Sequence, residues 1–259
     1  MTWHGFPITC QAYADMACSR FDQTFHKHGP LMYGKTHEVV ERFGELKHPC
    51  VLVTSSSDLS VTEEHAAKLP KCVLHWFSNN VQVEDPRITN TPIGFRYSFE
   101  QIQKLIAVSM TPRPPQEKLL LLCFNRNLPY PPQHRVGLYE YFGQFDWVTC
   151  QGGATGEVPF DQYLHLMRSH PFVLSPAGCG PDCHRTWEAL ALGSIPIVTK
   201  SFHSHLYDDM PVWQLNNWDE VTKGRLEGCL DFFKMRFGWA SMEKLNFAYW
   251  GTQILAHLA

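Results

Sequence analysis

The segment Pro171–Lys200 combines residue types and spacings that suit the binding of a phosphate-containing anion. It reads PFVLSPAGCGPDCHRTWEALALGSIPIVTK, which predicts a strand, a loop rich in glycine and proline, a helix, a tight turn and a second strand. Open α/β sheets bind ligands where a strand ends and a helix begins. Small loop residues allow the backbone to approach a ligand, and a helix N-terminus favours an anion such as a diphosphate.

Two charged side chains on the predicted helix add to this pattern. Arg185 and Glu188 are three residues apart, so they share one face of the helix. An arginine can bind phosphate oxygens, and a carboxylate can accept hydrogen bonds from two ribose hydroxyls. The pair therefore predicts a nucleoside diphosphate site, and the alternative is an ordinary ion pair on a solvated helix face.

Other ligand-binding patterns do not fit this loop. The GK[ST] sequence of a P-loop is missing, and Cys183 stands where a dinucleotide fingerprint beginning at Gly178 needs a glycine. Cys179, Cys183 and His184 are not followed by a second ligand pair at zinc-finger spacing. We therefore expect no metal site here.

Helical and strand-like patterns alternate on both sides of this segment, which predicts an α/β protein with parallel sheets. Three prolines in Thr111–Gln116 interrupt the alternation and predict a domain boundary, with a simple surface loop as the alternative. The expected fold is two Rossmann-like halves facing a cleft, residues 1–110 and 111–241. The C-terminal helix, residues 242–259, is a candidate to pack back on the first half.

Composition narrows the class of protein. The chain has 259 residues, 44% of them hydrophobic and 18% charged, which excludes a disordered chain. A net charge of −3 argues against a general nucleic-acid binder. Nine cysteines without a small-scaffold spacing indicate a reducing compartment. The N-terminus shows no signal peptide, and the longest apolar run, Leu119–Phe124, is too short to span a membrane, so we expect a cytoplasmic protein.

The central segment also resembles a known family. The pattern S-P-x-G, a short loop, then R-x-x-E-A-L-x-x-G-x-I-P-I runs from Ser175 to Ile197. It is similar to the nucleotide-sugar-binding segment of GT-B glycosyltransferases of the exostosin-like type. Compact glycan-building glycosyltransferases of large algal viruses, which include a xylosyltransferase, are similar over about Cys50–Val221, and a viral protein of this kind would act in the host cytoplasm.

The resemblance implies a compact GT-B fold with a donor domain at residues 111–241 and an acceptor domain at residues 1–110. Donor-binding residues are then expected on three loops of the second half. They are Asn125, Arg126 and Arg135 near the diphosphate or sugar, Thr149 and Gln151 near the base, and Ser175, Pro176, Gly178, Gly180, Arg185 and Glu188 on the central segment.

The resemblance also implies that the acceptor side supplies a general base. Asp58 is the first choice because it follows a buried strand and three serines, although it could equally cap the helix beginning near Val61. His75 is the second choice, with His65 behind it. Trp76, Asn79 and Asn80 are expected to contact acceptor sugars, with core packing as the alternative for Trp76.

The expected activity is transfer of a sugar from a UDP-sugar to a hydroxyl of an oligosaccharide or glycoprotein glycan, without a metal or other cofactor. Many retaining relatives have a second Glu after seven intervening residues, where this chain has Pro196, so inversion is favoured. Xylose is the preferred sugar. The alternatives are a fucosyltransferase-like enzyme that uses a GDP-sugar and a non-catalytic nucleotide-sugar or glycan-binding module. The sequence predicts no oligomeric state.

Overall fold

A computed structural model of the chain describes residues 19–20, 30–96, 98–126, 134–152, 158–239 and 242–258. The chain divides by its internal contacts into two compact units. Of the described residues, 98–239 form the C-terminal unit, and 19–20, 30–96 and 242–258 form the N-terminal unit. The division falls at residue 97, ahead of the proline-rich stretch, and the last helix of the chain belongs to the N-terminal unit.

Short strands alternate with helices in both units. The strands are β1 (Ser19–Arg20), β2 (Leu31–Lys35), β3 (Cys50–Ser55), β4 (Val73–Ser78), β5 (Ile88–Asn90), β6 (Leu120–Cys123), β7 (Val148–Gln151), β8 (Phe172–Leu174), β9 (Ile195–Thr199) and β10 (Trp213–Leu215). The helices are α1 (Thr36–Glu41), α2 (Glu63–Lys68), α3 (Phe99–Ser109), α4 (His134–Phe142), α5 (Phe160–Ser169), α6 (His184–Ala191), α7 (Lys223–Trp239) and α8 (Phe247–Ala256).

The sheet of the N-terminal unit is fully parallel, with its strands in the order β1-β2-β3-β4-β5. Strand β3 is buried along its whole length, as expected for a parallel strand that is covered on both faces. The core beside it includes Val39, Leu52 and Trp76. Each successive described strand is added at the same edge of this sheet, so the strand order follows the sequence order without a reversal.

The sheet of the C-terminal unit is also parallel, but its order is β10-β9-β8-β6-β7. The chain moves from β6 to β7 on one side and then returns to place β8 on the other side of β6. This reversal creates a topological switch point between the carboxyl ends of β6 and β8, where open α/β sheets bind ligands. The predicted α/β class with two parallel, Rossmann-like units is confirmed.

Long, strongly patterned elements were predicted best. The pattern of apolar residues predicts helices over His134–Phe142 and Phe160–Ser169 and a strand over Ile195–Thr199, and α4, α5 and β9 have these bounds. The helix predicted over Ser98–Ser109 begins one residue later as α3, because Ser98 is its cap. Strands β1, β2, β5 and β10 were not predicted. Two of these have only three residues, and a run of three residues is too short to show the alternation that identifies a strand.

The proline-rich stretch is fastened to the C-terminal unit by two arginines. Arg113 donates to the carbonyl oxygens of Arg168 (2.9 Å) and His170 (3.0 Å), and also to that of Gly193. Arg168 in turn donates to the carbonyl oxygen of Thr111 at 2.7 Å. Because these bonds join the stretch to α5 and to the turn after α6, this part of the chain is an integral part of the unit.

No helix among the described residues is long and apolar enough to cross a bilayer.

Candidate functional site

The predicted anion-binding loop lies at the switch point of the C-terminal sheet. Residues 175–183 leave β8, and residues 124–126 leave β6, its neighbour in the sheet. Carboxyl ends of adjacent parallel strands lie at the same edge, about 5 Å apart, so the two loops start side by side. The strand order, which was not predicted from the sequence, therefore brings the predicted donor residues of these two loops close together.

Arg135 holds these two loops together through its guanidinium group. It is 3% exposed and donates to the carbonyl oxygens of Ala177 (2.9 Å), Pro176 (3.0 Å) and Asn125 (3.1 Å). Burial, with a smaller contribution from Arg185, lowers the pKa of Arg135 from its ordinary value. Each of its three nitrogen atoms is bonded to the backbone, so Arg135 shapes the loops, whereas we had expected it to contact the ligand.

An aromatic pair brings two further arginines to the same place. The rings of Phe124 and Tyr139 pack edge to face with centroids 4.7 Å apart. The guanidinium of Arg185 lies 4.9 Å from the Phe124 ring centroid, and that of Arg126 lies 4.1 Å from the Tyr139 ring centroid. Cation–π contacts of this length are attractive and fix both charged groups. We call Arg126, Arg135 and Arg185 the arginine site.

Two buried nitrogen atoms of the arginine site have no hydrogen-bond partner among the described residues. Nε of Arg126 and Nη1 of Arg185 are both buried and unpaired in the described part of the chain. Arg185 uses its Nε to donate to the Cys123 carbonyl oxygen at 3.1 Å. Among the described residues none of the three arginines forms an ion pair with a carboxylate. Buried donors almost always have partners, so these atoms are suited to an anionic ligand.

Glu188 lies one turn along α6 from Arg185 and is 4% exposed. The hydroxyl of Tyr163, on α5, donates a short hydrogen bond to its carboxylate. The structure therefore does not show the predicted alternative of a simple Arg185–Glu188 pair on a solvated face. Tyr163 positions the carboxylate, and no sequence pattern links two residues that are 25 positions apart.

The remainder of the loop is anchored by buried polar contacts. The carboxylate of Asp182 accepts hydrogen bonds from the Trp187 indole at 2.9 Å and from the Tyr207 hydroxyl at 2.8 Å. The Ser175 hydroxyl lies 2.9 Å from that of Thr186. These contacts tie the loop to α6 and to the segment after β9, and they give both Ser175 and Asp182 a structural function.

Gly178 is closely surrounded within the loop. A Cβ atom on Gly178 would lie 3.4 Å from Nη2 of Arg135 and 3.4 Å from the Cys183 sulfur, so even the smallest side chain would touch both groups. The Gly178 N–H donates to the Gly180 carbonyl oxygen at 2.8 Å. Gly178 and Gly180 thus close the turn beside the arginine site.

The two residues predicted to approach the base lie on β7, the edge strand next to β6. Thr149 is half-buried, and its hydroxyl is 2.6 Å from Nε2 of the buried His170, so this hydroxyl is already engaged within the protein. Gln151 ends the strand and is half-buried. Its carbonyl oxygen accepts from the Tyr139 hydroxyl at 2.8 Å, which joins the carboxyl end of β7 to the aromatic pair.

In the N-terminal unit, Trp76 is fully buried and does not offer the sugar-binding face that we had expected. Its indole donates to the Thr54 hydroxyl at 2.9 Å, and its ring packs edge to face against Phe43. Trp76 is therefore a core residue, which was the alternative considered for it. Asn79 and Asn80 follow the end of β4 and are also fully buried.

The two candidate bases lie in different environments. Asp58 is exposed and makes no hydrogen bond or ion pair with any described residue. It does not cap a helix, because α2 begins after Thr62. His75 lies within β4, where its Nε2 is 2.8 Å from the Thr89 hydroxyl and its ring stacks on His257. Burial lowers the pKa of His75 to about 4.

His65, the third candidate base, is part of the cap of α2. Its Nδ1 accepts a hydrogen bond from the Thr62 backbone N–H at 3.1 Å.

In the described part of the chain, no three His, Cys, Asp or Glu side chains are placed to hold a metal ion together.

His203, which follows β9, is a buried histidine whose protonation should affect the stability of the fold. It is fully buried, and neither ring nitrogen has a hydrogen-bond partner in the described part of the chain. Burial lowers the pKa of His203 from 6.5 to about 4. The unfolded chain therefore binds the proton first as the pH falls, so stability that is present above pH 6.5 is lost between that pH and about 4.

Replacing His203 with leucine is expected to keep or raise the free energy of unfolding at pH 7, by up to about 1 kcal/mol, because it removes an unpaired buried polar group. It should also reduce the loss of stability between pH 6.5 and 4.5, which urea unfolding at several pH values measures. The control is His48→Gln, which replaces an exposed histidine of the other unit. An unchanged pH dependence in His203→Leu would contradict the prediction.

Comparison with known proteins connects this site to one family model. Residues 153–221 match the model described as RXYLT1 C-terminal domain, about a quarter of the chain, and residues 153–157 of this match lie outside the described residues. No curated protein sequence matches the chain.

Two solved structures are similar over most of the chain. One is the crystal structure of AviGT4, a glycosyltransferase involved in avilamycin A biosynthesis, with 11% identity, a TM-score of 0.45 and coverage of 90% of this chain and 74% of that one. The other is the N-terminal domain of Candida albicans trehalose-6-phosphate phosphatase, with 12% identity, a TM-score of 0.44 and coverage of 90% and 71%. The family match, which contains β8, the anchored loop and α6, supports a protein of the glycosyltransferase type.

Proposed function

We propose that this protein is a glycosyltransferase that binds the diphosphate of a nucleotide sugar at the arginine site. The observation that carries the proposal is a pair of buried guanidinium nitrogens, on Arg126 and Arg185 at the switch point of the C-terminal sheet, that have no partner among the described residues. Such donors, held in place beforehand, stabilise negative charge at little cost in reorganisation. A leaving diphosphate carries that charge.

The nucleoside would be held by Glu188, whose carboxylate can accept hydrogen bonds from ribose hydroxyls. Tyr163 already orients this carboxylate through a short hydrogen bond. We further propose UDP as the nucleotide and xylose as the sugar. The support for xylose is the resemblance to viral enzymes that include a xylosyltransferase, together with the family match over residues 153–221.

The proposed reaction is a single displacement with inversion, and it needs no metal because the arginines supply the positive charge. An acceptor hydroxyl attacks the anomeric carbon of the sugar, the bond from that carbon to the diphosphate oxygen breaks, and the hydroxyl proton passes to a base. Asp58 is the proposed base, since its carboxylate is exposed and engaged by no described residue. The acceptor would be an oligosaccharide or glycoprotein glycan.

A nucleotide panel tests the donor site. Thermal unfolding would be followed with UDP, GDP, CMP and several UDP-sugars, because a ligand that binds only the folded state raises the midpoint. We expect UDP and a UDP-sugar to give the largest shift. A larger shift with GDP would favour the fucosyltransferase-like alternative, and no shift with any nucleotide would contradict the donor site.

Asp58→Asn tests the base. We expect the turnover number to fall by about 100-fold or more, with binding of the donor unchanged, because amide nitrogen and oxygen cannot take up the acceptor proton. Transfer of radiolabelled sugar to glycan acceptors measures this. Glu84→Gln is a matched control, since Glu84 is another exposed carboxylate of the same unit. Full turnover in Asp58→Asn would eliminate Asp58 as the base.

A further inference from the structure

The carboxyl edge of the N-terminal sheet carries buried polar side chains that are only partly paired. Asn79 and Asn80 follow β4, Asn90 ends β5, and Thr91 comes next. Asn90 is 5% exposed and the other three are fully buried. In the described part of the chain each keeps one polar atom without a hydrogen-bond partner, namely Oδ1 of Asn79 and of Asn80, Nδ2 of Asn90 and Oγ1 of Thr91. We call these four residues the asparagine cluster.

Strand register and hydrogen bonds place the four residues at the carboxyl ends of two adjacent strands. Ser78, the last residue of β4, pairs with Asn90 of β5. The Thr91 N–H donates to the Ser78 carbonyl oxygen at 2.8 Å, which continues the ladder by one residue. Thr91 is therefore the neighbour of Asn79 across a strand spacing of about 5 Å.

Hydrogen bonds fix which atom of each amide remains available. The Nδ2 groups of Asn79 and Asn80 both donate to the Ser57 carbonyl oxygen, at 3.3 Å and 3.2 Å, so their Oδ1 atoms are the free ones. Asn90 is oriented the other way, because its Oδ1 accepts from the Val81 N–H at 3.3 Å. The cluster thus offers two acceptors, one amide donor and one hydroxyl.

This combination selects a class of ligand. The cluster contains no charged side chain, so it has nothing to neutralise a phosphate or a carboxylate, and its amide oxygens would repel either one. A cation would face the Nδ2 group of Asn90. A sugar hydroxyl both donates and accepts, so adjacent hydroxyls can satisfy acceptors and donors together.

We propose that the asparagine cluster binds an uncharged saccharide through its hydroxyl groups. Buried polar atoms almost always have a protein, water or ligand partner, and at the ends of these two adjacent strands four of them have no partner among the described residues. Trp76 is buried in the core, so recognition at this cluster uses hydrogen bonds without its ring. As an acceptor site the cluster rests on the proposed function, whereas as a saccharide site it stands independently.

Thr91→Val is the most direct test. Valine keeps the shape of the side chain and removes only the unpaired hydroxyl. Binding of xylose, N-acetylglucosamine and lactose to the full chain would be titrated by saturation-transfer NMR without nucleotide, with glucuronic acid and glucose 6-phosphate as charged probes. We expect at least one neutral sugar to bind and Thr91→Val to weaken its binding about fivefold, with thermal stability unchanged or higher.

Thr54→Val is the matched control. Thr54 is a buried threonine of the same sheet, but its hydroxyl is paired with Ser78 (2.8 Å) and with the Trp76 indole (2.9 Å). We expect Thr54→Val to lower thermal stability and to leave sugar binding unchanged. This pattern separates loss of a ligand contact from loss of a structural hydrogen bond.

Three results would overturn the proposal. They are the absence of binding by every neutral sugar, equal binding by wild type and Thr91→Val, and tighter binding of the charged probes. Different results decide between the saccharide site and the proposed transferase function. If neutral sugars bind through Thr91 but no nucleotide stabilises the chain, the saccharide site stands and the transferase does not. If UDP binds and sugar is transferred at an unchanged KM for the acceptor in Thr91→Val, the cluster is not the acceptor site.

Discussion

Arg185→Gln is expected to weaken the binding of UDP by about 10- to 100-fold while leaving the unliganded protein folded. A hydrogen bond to a charged group contributes about 1.5–3 kcal/mol, which corresponds to about that loss of affinity. The only hydrogen bond that Arg185 makes to a described residue runs to the Cys123 carbonyl oxygen, so its removal should cost less stability than loss of the three bonds of Arg135. Isothermal titration with UDP measures the affinity.

A second arginine of the same unit serves as the control for Arg185→Gln. Arg225 lies on α7, where its side chain is half-exposed and pairs with Glu220. Arg225→Gln should bind UDP as the wild type does. If Arg185→Gln bound UDP within twofold of the wild type, the unpaired Nη1 atom would not mark a phosphate site, and the proposed function would lose the observation that carries it.

Arg135→Met is expected to lower the free energy of unfolding by about 3 kcal/mol or more and to abolish UDP binding. Methionine can fill the space of the aliphatic stem, but the carbonyl oxygens of Asn125, Pro176 and Ala177 lose their donor. A buried carbonyl left unpaired costs about 1–3 kcal/mol. The bond to Pro176 is fully buried, whereas those to Ala177 and Asn125 are partly buried and contribute less each, and relaxation of the two loops recovers part of the total. Urea unfolding at pH 7 measures the stability.

Comparison of the two arginine variants separates a residue that contacts the ligand from one that shapes the site. Arg185→Gln should lose affinity with little loss of stability, whereas Arg135→Met should lose both. Normal stability in Arg135→Met would show that the loops do not depend on the guanidinium. Retained UDP affinity in a destabilised Arg135→Met variant would show that the loops keep their conformation without it.

The spacing of the residues in the central segment was sufficient to predict its local structure. Strand β8, the loop, α6 and β9 lie close to where the periodicity placed them. Apolar runs and amphipathic repeats record burial on one or both faces of an element, so local pattern carries this information. Gly193 follows α6 and has a φ of 77°. A glycine in this conformation commonly ends a helix, so the position of a glycine in the sequence also indicates where a helix ends.

The assignments of individual side chains depended on contacts that no local pattern contains. Arg135, Trp76 and Thr149 were expected to contact ligands, yet their polar atoms are bonded inside the protein. Asp58 could have capped a helix, but the cap of α2 is four residues further on, at Thr62. In each case the partner comes from another element or the helix begins later than expected.

By itself the sequence determined the parallel α/β class and the strand–loop–helix at residues 171–200, because both follow from the order and periodicity of apolar and small residues. Only the tertiary structure decided how the three arginines differ. Arg135 reaches carbonyl oxygens 41 and 42 residues away, whereas Arg126 and Arg185 each keep a buried nitrogen that no described residue pairs with. The reversal of strand order between β6 and β8 brings these residues together, and the position of a strand within a sheet is set by packing of the whole unit.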